Sequence, residues 1–517
     1  MIKKALATAK RAARLAKIAG AARKIRGARD EASREVARQA LAGLLADARG
    51  IPMKIGQVLA TGEADDPFRD LVTSVAPMPL EQTLSVLEAE WEFPPDRILA
   101  SIEEATAAAS LGQVHRAQLR TGESVAIKVQ YPGIGDAVAA ELRLAGLVPG
   151  IGPVRKWGFE IDAYRRVLHE NMDRELDYRV EAAQQEAFAA ASAPAGLVVP
   201  TVFREWTRRR VLVQSWEQGL PFSEILGWPR AQRLHIGRIL LETLMRSTFS
   251  AGLVHGDPHV GNYLFRQGES GRPAVILLDY GCVVPISEEA RLALLGLAIE
   301  CREGGPRDAL ASFAAMGFEA RKLEPIAAAL PEVADALFLP FATDGSFRTS
   351  EWRLGGRVQE ALGELRWWFR SAGPPSLFLL MRAFQGLFLY LERLDATLPW
   401  WPILERALTP ELLERARAFE PPRPDADPDA PIPSRGARAQ LLRIEIRIPD
   451  QEPTTLSLPA REALSLGEVI PEDIRQRIAT SGVEIAAIEA RAKRTRLEPQ
   501  LLFLHHEGDR SYRVWLE

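Results

Sequence analysis

The chain of 517 residues has only two cysteines, Cys282 and Cys301. Two thiols make neither a disulfide framework nor a zinc site by themselves, and they fit a reducing compartment. Cys282 reads as a small apolar filler. Charge of one sign is also lacking: 65 Lys and Arg against 68 Asp and Glu leave a net charge of −3, which argues against general nucleic-acid binding. No segment reaches the roughly 18 to 20 uninterrupted apolar residues that span a bilayer. The nearest, Leu377 to Tyr390, is broken by Arg382 and Gln385 and reads as a buried helix. There is no apolar h-region of a signal peptide. His505 and His506 adjoin, so on a strand they would face opposite ways and not share a metal. What is present in quantity is apolar residue, 47% of the chain, enough to fill the cores of two to four domains.

The most informative stretch is Leu253-Val-His-Gly-Asp-Pro-His-Val-Gly-Asn-Tyr-Leu-Phe265, followed by Ile276-Leu-Leu-Asp-Tyr-Gly281. Asp257 and Asn262 have the spacing of base and metal ligand in a kinase catalytic loop. Asp279 closes an apolar strand ahead of Gly281, as the magnesium-binding Asp of a DFG element does. Phosphoryl transfer is mostly charge neutralisation and alignment, so a carboxylate and an amide oxygen for magnesium, with a second carboxylate to orient the nucleophile, form a sufficient kit.

Upstream, Val125-Ala-Ile-Lys-Val129 has the form of the strand whose lysine pairs the nucleotide phosphates. Val114 to Leu119, the Thr121-Gly122 turn and Val125 to Val129 read as strand, turn and strand ending on Lys128. The phosphate loop expected before them lacks its glycines. Ala107-Ala-Ala-Ser-Leu-Gly-Gln-Val-His115 keeps only Gly112 of a Gly-x-Gly-x-x-Gly pattern, and alanine lacks glycine's access to positive φ, so this turn is expected to be stiffer.

Met53-Lys-Ile-Gly-Gln-Val-Leu59 near the N-terminus and Glu175-Leu-Asp-Tyr-Arg-Val-Glu181 between the lobes complete an ordered motif set. From about Arg34 to about Leu398, including Pro374-Pro-Ser-Leu-Phe-Leu-Leu-Met-Arg-Ala383, the chain resembles the UbiB/AarF-like (ADCK-type) atypical kinases. The resemblance implies an α+β, two-lobed protein-kinase-like fold with a helical Lys-x-Gly-Gln extension; a small C-terminal α/β appendage, read from the residues, lies outside the resemblance. It implies roles residue by residue. Lys128 is the nucleotide lysine and Glu181 its ion-pair partner. Asp257 is the catalytic-loop aspartate, while Asn262 and Asp279 ligate magnesium. Ala107, Ala108, Ala109, Ser110 and Gly112, with Gln214 and Trp216 where the lobes meet, complete the nucleotide-binding set. Lys54 and Gln57 belong to the extension over the substrate side, faced by the regulatory carboxylates Glu175 and Asp177. Val260 and Tyr280 depart from the family's usual proline and phenylalanine, and neither carries a ligand atom. Without the resemblance, Glu141 would be the first choice to pair Lys128. On one continuous helix, Asp177 and Glu181 would share a face and Glu175 would point nearly opposite.

These readings divide the chain at 1–33 (basic amphipathic helix), 34–95 (extension), 96–215 (N-lobe), 216–418 (C-lobe), 419–439 (Pro/Asp-rich linker) and 440–517 (α/β domain). In the last, Leu441 to Ile448 is expected as a strand, Pro471 to Thr480 and Val483 to Arg494 as helices, and Leu501 to Leu516 as two strands turning at Gly508-Asp509. The implied activity is that of an atypical kinase or ATPase using ATP or ADP with Mg2+ and supporting isoprenoid-quinone biosynthesis or lipid handling. The alternative is a nucleotide-gated lipid- or protein-binding module without phosphoryl transfer. Implied partners are an isoprenoid lipid or quinone precursor, quinone-biosynthesis proteins and an anionic membrane surface, but not nucleic acid. The expected location is cytoplasmic, at most peripheral at the inner face of the membrane, with no transmembrane segment. The membrane contact would come from the first thirty residues, where ten Lys and Arg from Lys3 to Arg29 precede the first acid, Asp30. Such a helix lies on anionic lipid by charge more than by insertion. Deleting residues 1–29 should therefore cut co-sedimentation with anionic vesicles, salt should weaken binding of the parent, and ATPase activity should be unchanged; equal vesicle binding by the truncated chain excludes the helix.

Overall fold

The computed structural model describes residues 77–109, 111–135, 166, 170, 172–268, 271–304, 308–374, 377–424, 439–448, 453–480, 483–495, 497–507 and 510–517. The basic N-terminal segment, Lys54, Gln57, Ser110, Glu141, most of the expected linker and the Gly508-Asp509 turn lie outside the described residues. The described part divides into two compact units, 77–286 with 378–397, and 287–377 with 398–517.

In the first unit, α1 (Leu80–Trp91) is followed by β1 (Leu99–Ala108), β2 (Gly112–Leu119) and β3 (Ser124–Gln130), then by α2 (Tyr178–Ser192), β4 (Leu197–Val198) and β5 (Val211–Ser215). The hairpin expected from the Thr121-Gly122 turn is present, with Val114 opposite Lys128 and Ala117 opposite Val125. The sheet order is β1-β2-β3-β5, antiparallel throughout. Period-two alternation decides what each face does. Val125, Ile127 and Val129 of β3, with Val211 and Val213 of β5, are fully buried in one core with Leu87 and Trp91 of α1. Each such side chain contributes roughly 1.5–3 kcal/mol when fully buried. The intervening Ala126 and Lys128 pair in register with Gln214 and Leu212, on the opposite face.

A buried polar cluster ties α1 to this sheet. Gln113 Nε2 donates to Met78 O (3.0 Å) and its Oε1 accepts from Met78 N (2.7 Å). His115 Nδ1 donates to Glu103 O at 2.9 Å, and its Nε2 lies 2.9 Å from Gln113 Nε2 and 3.1 Å from Thr83 Oγ1. Burial lowers the His115 pKa. The Gln113 amide nitrogen can only donate, so Nε2 accepts and the ring is the neutral tautomer with its proton on Nδ1.

The unit continues with α3 (Arg230–Met245), β6 (Leu253–His255), β7 (Tyr263–Gln267), β8 (Pro273–Leu277) and β9 (Val283–Pro285), and it includes α4 (Leu377–Arg393) from residue 378 onward. β6 pairs antiparallel with β9, and β8 lies between β4 and β7.

The second unit holds the helices Glu288–Glu303, Leu330–Ala342, Leu354–Leu362, Trp400–Ala407 and Pro410–Arg417, among others, and a C-terminal antiparallel sheet. Its strands are β10 (Leu441–Arg447), β11 (Thr454–Pro459), β12 (Gln500–Glu507) and β13 (Arg510–Leu516), in the order β11-β10-β13-β12. Leu442, Phe503, Val514 and Leu516 of the sheet pack on Ile478 and Ile488 of the helices Glu472–Thr480 and Ile485–Arg494. Strands and helices expected there are found within a few residues, and β11 is an addition. Among the described residues, one helical run, Ala320–Ala342, is long and apolar enough to cross a membrane, and 50% of its most apolar window is buried inside the fold. It is not the run singled out from the sequence, because several short turns join into it.

Gly112 is retained for close approach. A Cβ there would stand 2.2 Å from Val129 O and 2.9 Å from the Tyr178 hydroxyl. Gly112→Ala must push β2 off β3 and should cost about 1–3 kcal/mol by overpacking, read as a lower denaturant midpoint. A midpoint equal to the parent's contradicts this packing.

Candidate active site

A cavity of about 610 Å³ lies beside the sheet, lined by Ala107, Ala109, Ala126, Lys128, Gln214 and Trp216 on one side and by Asp257, Asn262, Leu264 and Asp279 on the other. The Lys128 ammonium sits between two carboxylates, 2.8 Å from Glu181 Oε1 and 2.7 Å from Asp279 Oδ2. It also stands 5.1 Å from the centre of the buried Tyr178 ring. Burial opposes the charge on Lys128, yet Asp279 and Glu181 together raise its pKa well above the ordinary value. The Glu181 carboxyl is raised to about 7, chiefly by burial and also by the Asp279 charge, against Lys128, which holds it down. Glu181 also accepts from Tyr280 N at 3.4 Å, and Asp279 Oδ1 from Gly281 N at 3.0 Å.

The catalytic-type loop runs from β6 through a 3-10 turn, Val260–Asn262, into β7. Asn262 Nδ2 donates to both the backbone O and Oδ2 of Asp257, each at 3.1 Å. Leu278 N donates to Asn262 O (2.9 Å) and Gly256 N to Cys282 O (2.8 Å), so this loop and the Asp279 loop are stitched side by side. His255 Nε2 donates to Asp279 O at 2.6 Å, which fixes the backbone of the second loop from the first.

Most expected site residues meet here. Lys128, Glu181, Asp257, Asn262, Asp279, Glu175, Gln214, Trp216, Ala107 and Ala109 all line the cavity. Gly112 does not line it; its place is the β2–β3 contact described above. Ala108 ends β1, opposite Gln113. The helix carrying Glu175, Asp177 and Glu181 is not continuous. One helical turn ends at Glu175, and Asp177 caps α2, its Oδ1 accepting from Arg179 N at 3.1 Å. Asp177 also pairs with the Arg179 guanidinium at 2.6 Å, which keeps its pKa low. The break reverses the expected faces: Glu175 is buried and shares the cavity with Glu181, while Asp177 does not line it. Sequence reasoning missed Arg382, whose guanidinium lies 3.0 Å from Asp257 Oδ1. Its charge inside an apolar run was the available signal. Gln113, His115, Tyr178 and His255 stood inside quoted motifs without a role.

Residues 70–307 match the family model of the ABC1 atypical kinase-like domain. Over that span the chain is similar to the ABC1 atypical kinase-like proteins. The UbiB/ADCK-type resemblance read from the motif order holds, and with it the α+β protein-kinase-like fold. The chloroplastic protein Activity of BC1 Complex Kinase 8 of Arabidopsis thaliana is 32% identical over 284 residues, 51% of this chain and 36% of that protein. The mitochondrial atypical kinase COQ8B of Rattus norvegicus is 29% identical over 372 residues, 68% of each chain. Among solved structures, Rv3197 of Mycobacterium tuberculosis in complex with erythromycin is similar with a TM-score of 0.50 at 27% identity, covering 74% of this chain and 98% of that one. The chain spans 36% of the Arabidopsis protein and 48% of an ABC1 family protein of Schizosaccharomyces pombe.

Glu181 and Lys128 are 2% and 13% exposed. Removing the cation alone strands two carboxylates, and breaking such a buried pair costs about 3–5 kcal/mol. Lys128→Met should lower stability by that order in chemical denaturation, and adding Glu181→Gln should recover part of the loss. Strict additivity of the two substitutions would show that the pair is not coupled.

Proposed function

We propose that the cavity binds ATP or ADP with magnesium and that the chain is an atypical kinase or ATPase of the UbiB type. The observation that carries this reading is Lys128 bridging Glu181 and Asp279 across from the Asn262–Asp257 pair. The donor set fits magnesium, a hard cation that takes oxygen ligands. Asp279 offers a carboxylate. The Asn262 amide turns its nitrogen to Asp257, which leaves its oxygen as the ligand atom. Bound magnesium would neutralise phosphate charge as the phosphoryl group transfers.

The chain's own residues do the rest. Lys128 pairs the phosphates and is held on target by Glu181. Ala126 and Leu264 give the cavity an apolar lining that suits a nucleotide base. Asp257 orients the attacking oxygen, whether of water or of a substrate hydroxyl. The name of the relative COQ8B, an atypical kinase, supports phosphoryl chemistry. A role in isoprenoid-quinone biosynthesis or lipid handling, with a lipid or quinone precursor as partner, is the part of the proposal that rests on resemblance. Steady-state ATP turnover with and without liposomes or a quinone-precursor mimic tests it.

Asp279→Asn should abolish the magnesium-dependent part of nucleotide binding and leave the fold intact, since the main counter-charge to the metal is lost. Unchanged magnesium-nucleotide affinity in a thermal-shift titration rejects the assignment.

A further inference from the structure

Helix α4 lays one face along the His255-Gly-Asp-Pro258 segment. A Cβ added at Gly256 would stand 3.0 Å from Leu379 Cβ, and one added at Gly386 would stand 1.9 Å from Pro258 Cβ. The Tyr390 hydroxyl donates to Pro258 O at 2.9 Å. Between these contacts, Arg382 Nη2 donates to Asp257 Oδ1 at 3.0 Å. Positions 379, 382, 386 and 390 follow at intervals of three and four, the spacing of one helix face. Glycine in a helix interior costs about 1 kcal/mol relative to alanine, and at position 386 it is what lets the helix reach the loop.

We propose that Arg382 is a positioning residue for phosphoryl transfer: it fixes the Asp257 carboxylate from behind so that the acceptor oxygen is aligned. This rests on the reading of Asp257 given above. The ion pair is buried, its side chains 11% and 8% exposed. A guanidinium in an apolar helix is costly to bury unless it is paired, so packing alone does not account for it; Leu379 next to it packs on the same loop without a charge. The planar guanidinium gives a charge-assisted bond of fixed direction on Oδ1. The Asn262 amide holds Oδ2 from the loop itself, 3.1 Å away. With a donor on each oxygen, the carboxylate plane cannot turn. Arg382 does not line the cavity, so it acts on the nucleotide only through Asp257.

The consequence is a split between turnover and binding. A small misplacement of an orienting group lowers rate steeply, by as much as about a hundred-fold, without touching ground-state binding. In the full chain, Arg382→Met should lower kcat for ATP turnover at least about ten-fold, with KM for ATP and the thermal shift by Mg-ADP within about two-fold of the parent. Arg382→Lys, which keeps the charge but not the fork, should recover part of the rate. Should Arg382→Met not fold, Arg382→Lys is read alone: lowered kcat at constant KM supports the role, and parental kcat overturns it. Arg382→Met with parental kcat, or with nucleotide binding lost in step with turnover, also overturns it. A parent chain that binds Mg-ADP but turns over no ATP refutes the phosphoryl-transfer reading as well.

Discussion

One buried ammonium organises the first unit. Lys128 belongs to the sheet, Glu181 to α2 and Asp279 to the loop after β8, and the three meet within 2.8 Å contacts. None of the three elements can shift alone without leaving a desolvated charge. The trio carries two acids to one base, so the cavity wall keeps an excess of negative charge. That suits the cation-binding role proposed for this cavity.

Much of this was legible in residue types. The alternation of Val125, Ile127 and Val129 with Ala126 and Lys128 gives both the core face and the cavity face of β3, because strand geometry leaves no third choice. The 257, 262 and 279 set was legible because loop chemistry fixes its spacing. Choosing Glu181 over Glu141 was not available from spacing alone. Glu181 comes 53 residues after Lys128, and only the ordered motif set pointed there.

What was misread has a physical cause. A continuous helix through Glu175, Asp177 and Glu181 ignores that Asp prefers an N-cap, where its side chain competes for the backbone. That single break rotates Glu175 into the cavity. Arg382 meets a partner 125 residues away, and local periodicity carries no information about a pair so distant. Strand β11 was invisible because its residues are exposed on both faces, apart from half-buried Leu458. Such an edge strand shows no alternation to read.

The side chains of β2 answer to two neighbours at once. Gln113 and His115 are committed to Met78, Thr83 and Glu103, while Val114 between them lines the cavity, whose wall Gln113 also reaches. Lifting this hairpin would strip several buried polar groups of their partners, at about 1–3 kcal/mol for each. The roof of the cavity is thus a braced beam and not a hinged flap. Its stiffness comes from a buried histidine and amide held by Met78, Thr83 and Glu103, and not from the alanines of the cavity wall.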